Sequence, residues 1–153
     1  MLDIRPLNVN FKNIVFKEGN LMDNSGLKDY CDSISSLHVI EHFGLGRYND
    51  PIDFTGYLTG LDNIYKMLKD GGKFYFSVPM GKEKTVFNAH RVFSAKYLME
   101  LFQERYSIDS FSYINDNEEL IINAPLNASV TDNYLFEYGC GLFELTKLPK
   151  VVN

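Results

Sequence analysis

Residues 53–68 carry Phe54, Tyr57, Leu58, Leu61, Ile64, Tyr65 and Leu68 at i, i+3, i+4, i+7, i+10, i+11 and i+14, one apolar stripe at helical spacing. Asp53 stands where an N-cap belongs, and Gly71-Gly72 follows as a stop. A strand-like run precedes the stripe, residues 32–39 (DSISSLHV). Another follows it, residues 73–78 (KFYFSV), where Phe74, Phe76 and Val78 alternate with Lys73, Tyr75 and Ser77 before Pro79. A strand, a helix and a strand within about 45 residues form a crossover unit with parallel strands. The helix stripe must then cover one face of a sheet, which makes the chain α/β.

The rest of the chain elaborates that unit. Residues 13–17 (NIVFK) read as a short buried strand closed by the turn at Glu18-Gly19-Asn20, and residues 20–31 as a loop or short helix. After the unit, a loop over residues 79–93 holds Gly81, Lys82, Lys84 and His90. Ser94 then caps a predicted helix to about residue 106, with Tyr97, Leu98, Leu101 and Phe102 inward. Residues 107–114 read as a strand, 115–133 as an Asn- and Asp-rich loop with an apolar patch at 120–122, and 133–147 as a final strand bulged at Gly139-Cys140-Gly141. No repeat or linker interrupts this order. The reading is one domain over residues 1–153.

Composition enters where it excludes partners. Twenty acids against fifteen Lys and Arg leave a net charge of −5, and no dense basic cluster suits a phosphate backbone, so nucleic acid is not expected. No apolar run approaches the roughly 18 residues of a membrane span. Cys31 and Cys140 stand alone, with no CxxC and no signal peptide, and read as reduced structural thiols of a cytoplasmic protein.

Candidate chemistry concentrates in residues 36–53, SLHVIEHFGLGRYNDPID, at the carboxyl end of the first crossover strand. Open α/β sheets bind ligands beyond the carboxyl ends of their strands. His38, Glu41 and His42 follow the pattern HxxEH there, and His90 lies on the loop after the next strand, which opens onto the same crevice. Three readings stay open for these residues: a divalent-metal site completed by His90 and Asp50 or Asp53, a substrate-binding or general-base role centred on His42, and a hydrogen-bonded structural cluster. Arg47 either binds an anionic group or pairs with Asp50 or Asp53. The metallopeptidase signature has the same form, but it needs a long helix where residues 34–39 read as strand and Gly44 follows closely.

Taken together, Asp3, the Gly19-Asn20 turn, DSISSLHVIEH, LKDGGKFYFSVP and HRVFS resemble the class I S-adenosylmethionine-dependent methyltransferases over most of the chain, and SLHVIEHFGLGRYNDPID resembles an uncharacterised branch of them. The resemblance implies a Rossmann-like methyltransferase fold, a mostly parallel sheet with a C-terminal antiparallel strand. Against the family the chain lacks the first strand and helix at its N-terminus and their GxGxG loop; its closely spaced glycines are Gly44/Gly46, Gly71/Gly72 and Gly139/Gly141. By the same resemblance Asp3 binds the ribose hydroxyls of S-adenosylmethionine, Asn20 faces its adenine, and Leu37 and His38 line the cofactor. His38, Glu41, His42, His90 and Arg47 form the catalytic set. The small-RNA 3′-end methyltransferases resemble the metal version of this arrangement, with a Glu in place of His38. The expectation is methyl transfer to a small polar acceptor, a sugar or other metabolite. The alternative is a catalytically inactive binding or assembly module of the same fold. A strand edge left open by the absent first strand makes a homodimer expected.

Overall fold

The computed structural model describes residues 1–7, 11–23, 26–126 and 136–149. Its centre is the expected crossover unit: β3 (Cys31–Leu37), α1 (Gly56–Met67) and β4 (Leu68–Gly81), with β3 and β4 parallel. Before it lie β1 (Leu2–Asp3) and β2 (Lys17–Glu18), a separate parallel pair. After it come the hairpin β5 (Lys84–Val86) and β6 (His90–Val92), then α2 (Ala95–Phe102), β7 (Tyr106–Ile114), β8 (Leu120–Ile121) and β9 (Tyr138–Lys147). Among the described residues the main sheet runs in the order β3-β4-β9-β7-β8.

The alternation in β4 builds the core. Phe74, Phe76 and Val78 are fully buried, whereas Tyr75 on the other face is 42% exposed. Leu61 and Ile64 of α1, Leu98 and Phe102 of α2, and Phe111, Phe143 and Leu145 of β7 and β9 join the same cluster. Its aromatic rings pack closely, Phe76 against Phe102 at 5.4 Å and Phe111 against Phe143 at 4.7 Å. Ser94 caps α2 as expected, its Oγ accepting from Tyr97 N at 3.1 Å. Ser94→Ala is expected to lower stability by about 1 kcal/mol in a urea titration, since a first-turn N–H then loses its partner. An unchanged midpoint would mean that solvent replaces the cap.

Several expectations are corrected. The main sheet is not mostly parallel: β3–β4 is its parallel pair, and β4–β9, β9–β7 and β7–β8 are antiparallel. The five residues 115–119 between β7 and β8 permit a hairpin, whereas a parallel return needs a crossover of about a dozen. The run 13–17 is no buried strand. Strand begins at Lys17, and Val15 is 84% exposed, because strand propensity is realised only where a paired, covered surface receives it.

Helix α1 starts at Gly56 rather than after Asp53, whose carboxylate instead accepts from Thr55 N at 2.8 Å and Thr55 Oγ1 at 2.7 Å. The helix ends at Met67, before the glycines. Residues 69–72 are extruded between the pairs Cys31–Leu68 and Ser33–Lys73, with Gly71 at φ +75°. Of the expected final strand, residues 133–135 lie outside the described residues. The β4–β9 register is continuous through Gly139-Cys140-Gly141, and the irregularity falls in β7 between Ile108 and Ser110. Gly139 serves close packing, since a Cβ there would lie 2.2 Å from Ile114 O.

Candidate active site

The first strand of the unit delivers its residues through a sharp turn. His38 N continues the parallel ladder by donating to Ser77 O at 2.9 Å, and then the backbone of His38 turns into the left-handed region at φ +53°. A single 3₁₀ turn, Ile40–His42, follows. This local geometry, rather than a helical continuation, puts His38, Glu41 and His42 together. Glu41 lies at the centre with its side chain 1% exposed, its Oε1 3.2 Å from His38 Nδ1 and 3.7 Å from His42 Nε2. Its Oε2 is buried without a hydrogen-bond partner among the described residues.

The two imidazoles are held differently. His42 Nδ1 donates to Ala89 O at 2.6 Å, which leaves Nε2 without the proton in the neutral ring. Tyr48 packs edge-on against that ring at 5.6 Å. His38 turns Nε2 outward to Cys140 Sγ at 3.1 Å. Burial shapes their charges: it pushes the Glu41 carboxyl up to about 7 and lowers the basicity of both His38 and His42. The resting cluster at neutral pH therefore holds neutral imidazoles around a carboxyl near its midpoint.

Residues 44–54 close over the cluster as a compact loop. Gly44 N donates to Asp50 Oδ2 at 2.7 Å, and Asp53 N donates to Gly44 O at 3.0 Å. Glycine is required at position 44, where φ is +72° and a Cβ would lie 1.7 Å from Asp53 O. Arg91, absent from the expected set, ties this loop to the cluster. It is 6% exposed, and its Nη1 donates to Phe43 O at 2.5 Å and Glu41 O at 3.5 Å. Its Nη2 donates to Phe54 O at 3.3 Å, and its guanidinium lies 4.7 Å over the Tyr57 ring. The signal for Arg91 was its place in HRVFS, one residue from His90 on a strand that enters the core.

The expected residues are only partly brought together. Arg47 Nη1 donates to Ala89 O at 3.2 Å, the carbonyl that also receives His42. His90 packs against Tyr138, ring centroids 6.0 Å apart, and lies near enough to His42 to help lower its basicity. Asp50 and Asp53 are engaged within their own loop. Among the described residues no group of three or more His, Cys, Asp or Glu side chains is arranged to hold a metal ion. His38 Nδ1 and His42 Nε2 lie 3.2 and 3.7 Å from Glu41 Oε1, while His38 Nε2 is turned to Cys140 and His42 Nδ1 to Ala89 O. Cys31 and Cys140 are free thiols.

Asp3 and Asn20, expected to face the cofactor, are each engaged within their own turns. Asp3 accepts from Arg5 N at 2.9 Å and from Arg5 Nε and Nη2 at 3.1 and 3.0 Å, which holds its carboxyl below the usual range. Arg5 in turn lies 5.0 Å over the Tyr48 ring, so the β1 end reaches the ring that packs on His42. Asn20 Oδ1 accepts from Met22 N at 2.9 Å within its own turn, and Leu37 is exposed at the end of β3. A depression of about 480 Å³ adjoins the cluster at Leu37 and is lined by Ser35, Tyr75, Leu142 and Glu144 on the open sheet face. Asp3 keeps one acceptor position, on Oδ2, beside the Arg5 guanidinium, which suits a single hydroxyl donor.

The architecture is a methyltransferase-like, Rossmann-like fold. A SAM-dependent methyltransferase from Methanosarcina mazei is 15% identical, with a TM-score of 0.57 over 88% of this chain and 68% of its own. The N-methyltransferase NodS from Bradyrhizobium japonicum WM9, in complex with S-adenosyl-L-homocysteine, is 18% identical, with a TM-score of 0.55 over 92% of this chain and 57% of its own. The [4+2]-cyclase SpnF is 11% identical, with a TM-score of 0.56 over 88% of this chain and 57% of its own. The chain thus spans little more than half the length of the last two, and these likenesses are of fold. No curated protein matches the chain. Residues 12–136 match the family described as "Caenorhabditis protein of unknown function, DUF268", and the chain belongs to that family.

Proposed function

We propose that the protein binds S-adenosylmethionine and transfers its methyl group to a small polar acceptor, a sugar or other metabolite. The observation that carries this reading is His42. Its Nδ1–H is committed to Ala89 O, its Nε2 is left as a base, and burial keeps the ring neutral, which is the state a general base needs. The cofactor, when bound, supplies the electrophilic methyl. The chain's own work is alignment and proton removal. Asp3 takes a ribose hydroxyl, Asn20 the adenine side, and Leu37 and His38 the methionine side. His42 Nε2 receives the proton of the acceptor hydroxyl or amine. Glu41 orients both histidines, Arg47 attracts an anionic group on the acceptor, and His90 lines the facing hairpin.

The reading includes a homodimer in the cytoplasm with no nucleic acid or membrane partner. Among the described residues β3 pairs only with β4, which leaves its other edge for a second copy. A metal forms no part of it. A second reading is an inactive binding module of this fold, and the likeness to the [4+2]-cyclase SpnF shows that the fold carries more than methyl transfer.

Isothermal titration with S-adenosylmethionine and S-adenosylhomocysteine separates the two readings. The expected result is binding tighter than about 100 μM, or about −5.5 kcal/mol, weakened at least about tenfold by Asp3→Ala and insensitive to added Mn²⁺ or Zn²⁺. No heat from either compound would overturn methyl transfer by this chain and leave the binding module.

A further inference from the structure

Cys140 lies on β9 between Pro79 of β4 and Ile114 of β7, and its half-buried side chain meets the outward nitrogen of His38. The line of contacts is continuous: Cys140 Sγ to His38 Nε2 at 3.1 Å, His38 Nδ1 to Glu41 Oε1 at 3.2 Å. Gly141 O, the other acceptor near the thiol, is farther away at 3.7 Å. Behind the imidazole the Glu41 carboxyl is 1% exposed, and its Oε2 has no partner among the described residues. A structural hydrogen-bond cluster would satisfy that atom. A nucleophile, a base and an orienting acid in hydrogen-bond reach of one another are the arrangement that activates a side chain for covalent chemistry.

We infer that Cys140, His38 and Glu41 form a thiol–imidazole–carboxylate relay that makes Cys140 a covalent acceptor for carbon electrophiles bearing a leaving group. With Glu41 ionised, His38 Nδ1–H donates to Oε1, and Nε2 is left to take the thiol proton. The Cys140 S–C bond forms as the bond from carbon to the leaving group breaks. The leaving group departs with the electron pair, and the S–H proton passes to His38 Nε2. Nothing else is consumed. The left-handed backbone at His38 has a role here, because it turns the imidazole edge-on between Glu41 and β9. His38, which the proposed function places on the methionine side of the cofactor, is shared by the two activities, whereas neither His42 nor Asp3 takes part in the relay.

Cys31 provides an internal reference, being partly buried on β3 beside Asp32 and Lys69, with no imidazole bonded to it among the described residues. Alkylation of the full chain by iodoacetamide at pH 8, followed at each cysteine by peptide mass spectrometry, reads both thiols at once. Burial and the Glu41 carboxylate push the resting Cys140 thiol up, so its advantage comes from His38 taking the proton during attack, and Cys140 is expected to react about tenfold faster than Cys31. His38→Asn, which keeps a residue tolerant of the left-handed backbone, is expected to remove most of that advantage and leave the Cys31 rate unchanged. Equal rates in the native chain, or a ratio untouched by His38→Asn, would overturn the relay. If His38→Asn reacts at both cysteines like the urea-unfolded chain, Glu41→Gln decides. A several-fold fall at Cys140 alone supports the relay, and an unchanged ratio overturns it.

Discussion

Arg91→Met is expected to destabilise the protein by about 3 kcal/mol and to free residues 44–54 from the cluster. Methionine keeps the stem that packs in the core, so the loss is that of the guanidinium. Among the described residues no carboxylate pairs with it directly. It is held by the carbonyls of Glu41, Phe43 and Phe54 and by the face of Tyr57. Removing the cation relieves its own desolvation, but it leaves three carbonyls in a site the guanidinium had dried. A guanidinium is weakly hydrated, so the orphaned acceptors outweigh the relief. Arg91→Lys should recover only part of the loss, because one ammonium cannot span Phe43 O and Phe54 O together. In urea the midpoint should fall with an unchanged slope, and amide exchange at Gly44 and Asp53 should rise. A loss below about 0.5 kcal/mol would show that the loop holds itself through Gly44 and Asp50.

The parts legible in the sequence are those set by local periodicity. Phe74, Phe76 and Val78 announce β4, Leu61 and Ile64 announce the buried face of α1, and Ser94 announces the start of α2. Each depends on residues a few positions apart. The insertion of β9 between β4 and β7 depends on pairings across more than sixty residues, as in Phe74–Leu145, and no local pattern encodes it. The site divides in the same way. The HxxEH pattern put His38, Glu41 and His42 in one short segment, but it did not show that a left-handed turn at His38 and a single 3₁₀ turn would gather them around the Glu41 carboxylate. His90 reached the facing hairpin and stopped at Tyr138, whereas its neighbour Arg91, on the opposite side of β6, entered the site. Strand alternation makes such neighbours diverge, so a residue one position away from an expected ligand was the one that mattered.

Glu41→Gln is expected to leave stability nearly unchanged at pH 4 and to raise it by about 3 kcal/mol at pH 8. Burial moves the carboxyl from 4.5 to about 7, so the folded chain holds this proton more tightly than the unfolded chain does. Between those two values the folded state binds more protons, and stability falls as pH rises through the window. The contribution is fully present below the unfolded value and gone above about 7. At about 1.4 kcal/mol per tenfold in proton affinity, the interval corresponds to about 3 kcal/mol. His38 and His42 act in the opposite direction: burial lowers their basicity, so they subtract stability as pH falls below the ordinary histidine range. Both proteins contain both histidines, and the difference between their stability curves isolates Glu41. Urea unfolding at pH 4, 6 and 8 measures that difference. A gap that does not widen with pH would mean that Glu41 titrates alike in the folded and unfolded chain. A widening gap would mean that the native carboxyl destabilises the fold at the pH where it is ionised. Glutamine would be the more stable residue at position 41, and the ionisable group would then be retained for what it does to His38 and His42 rather than for stability.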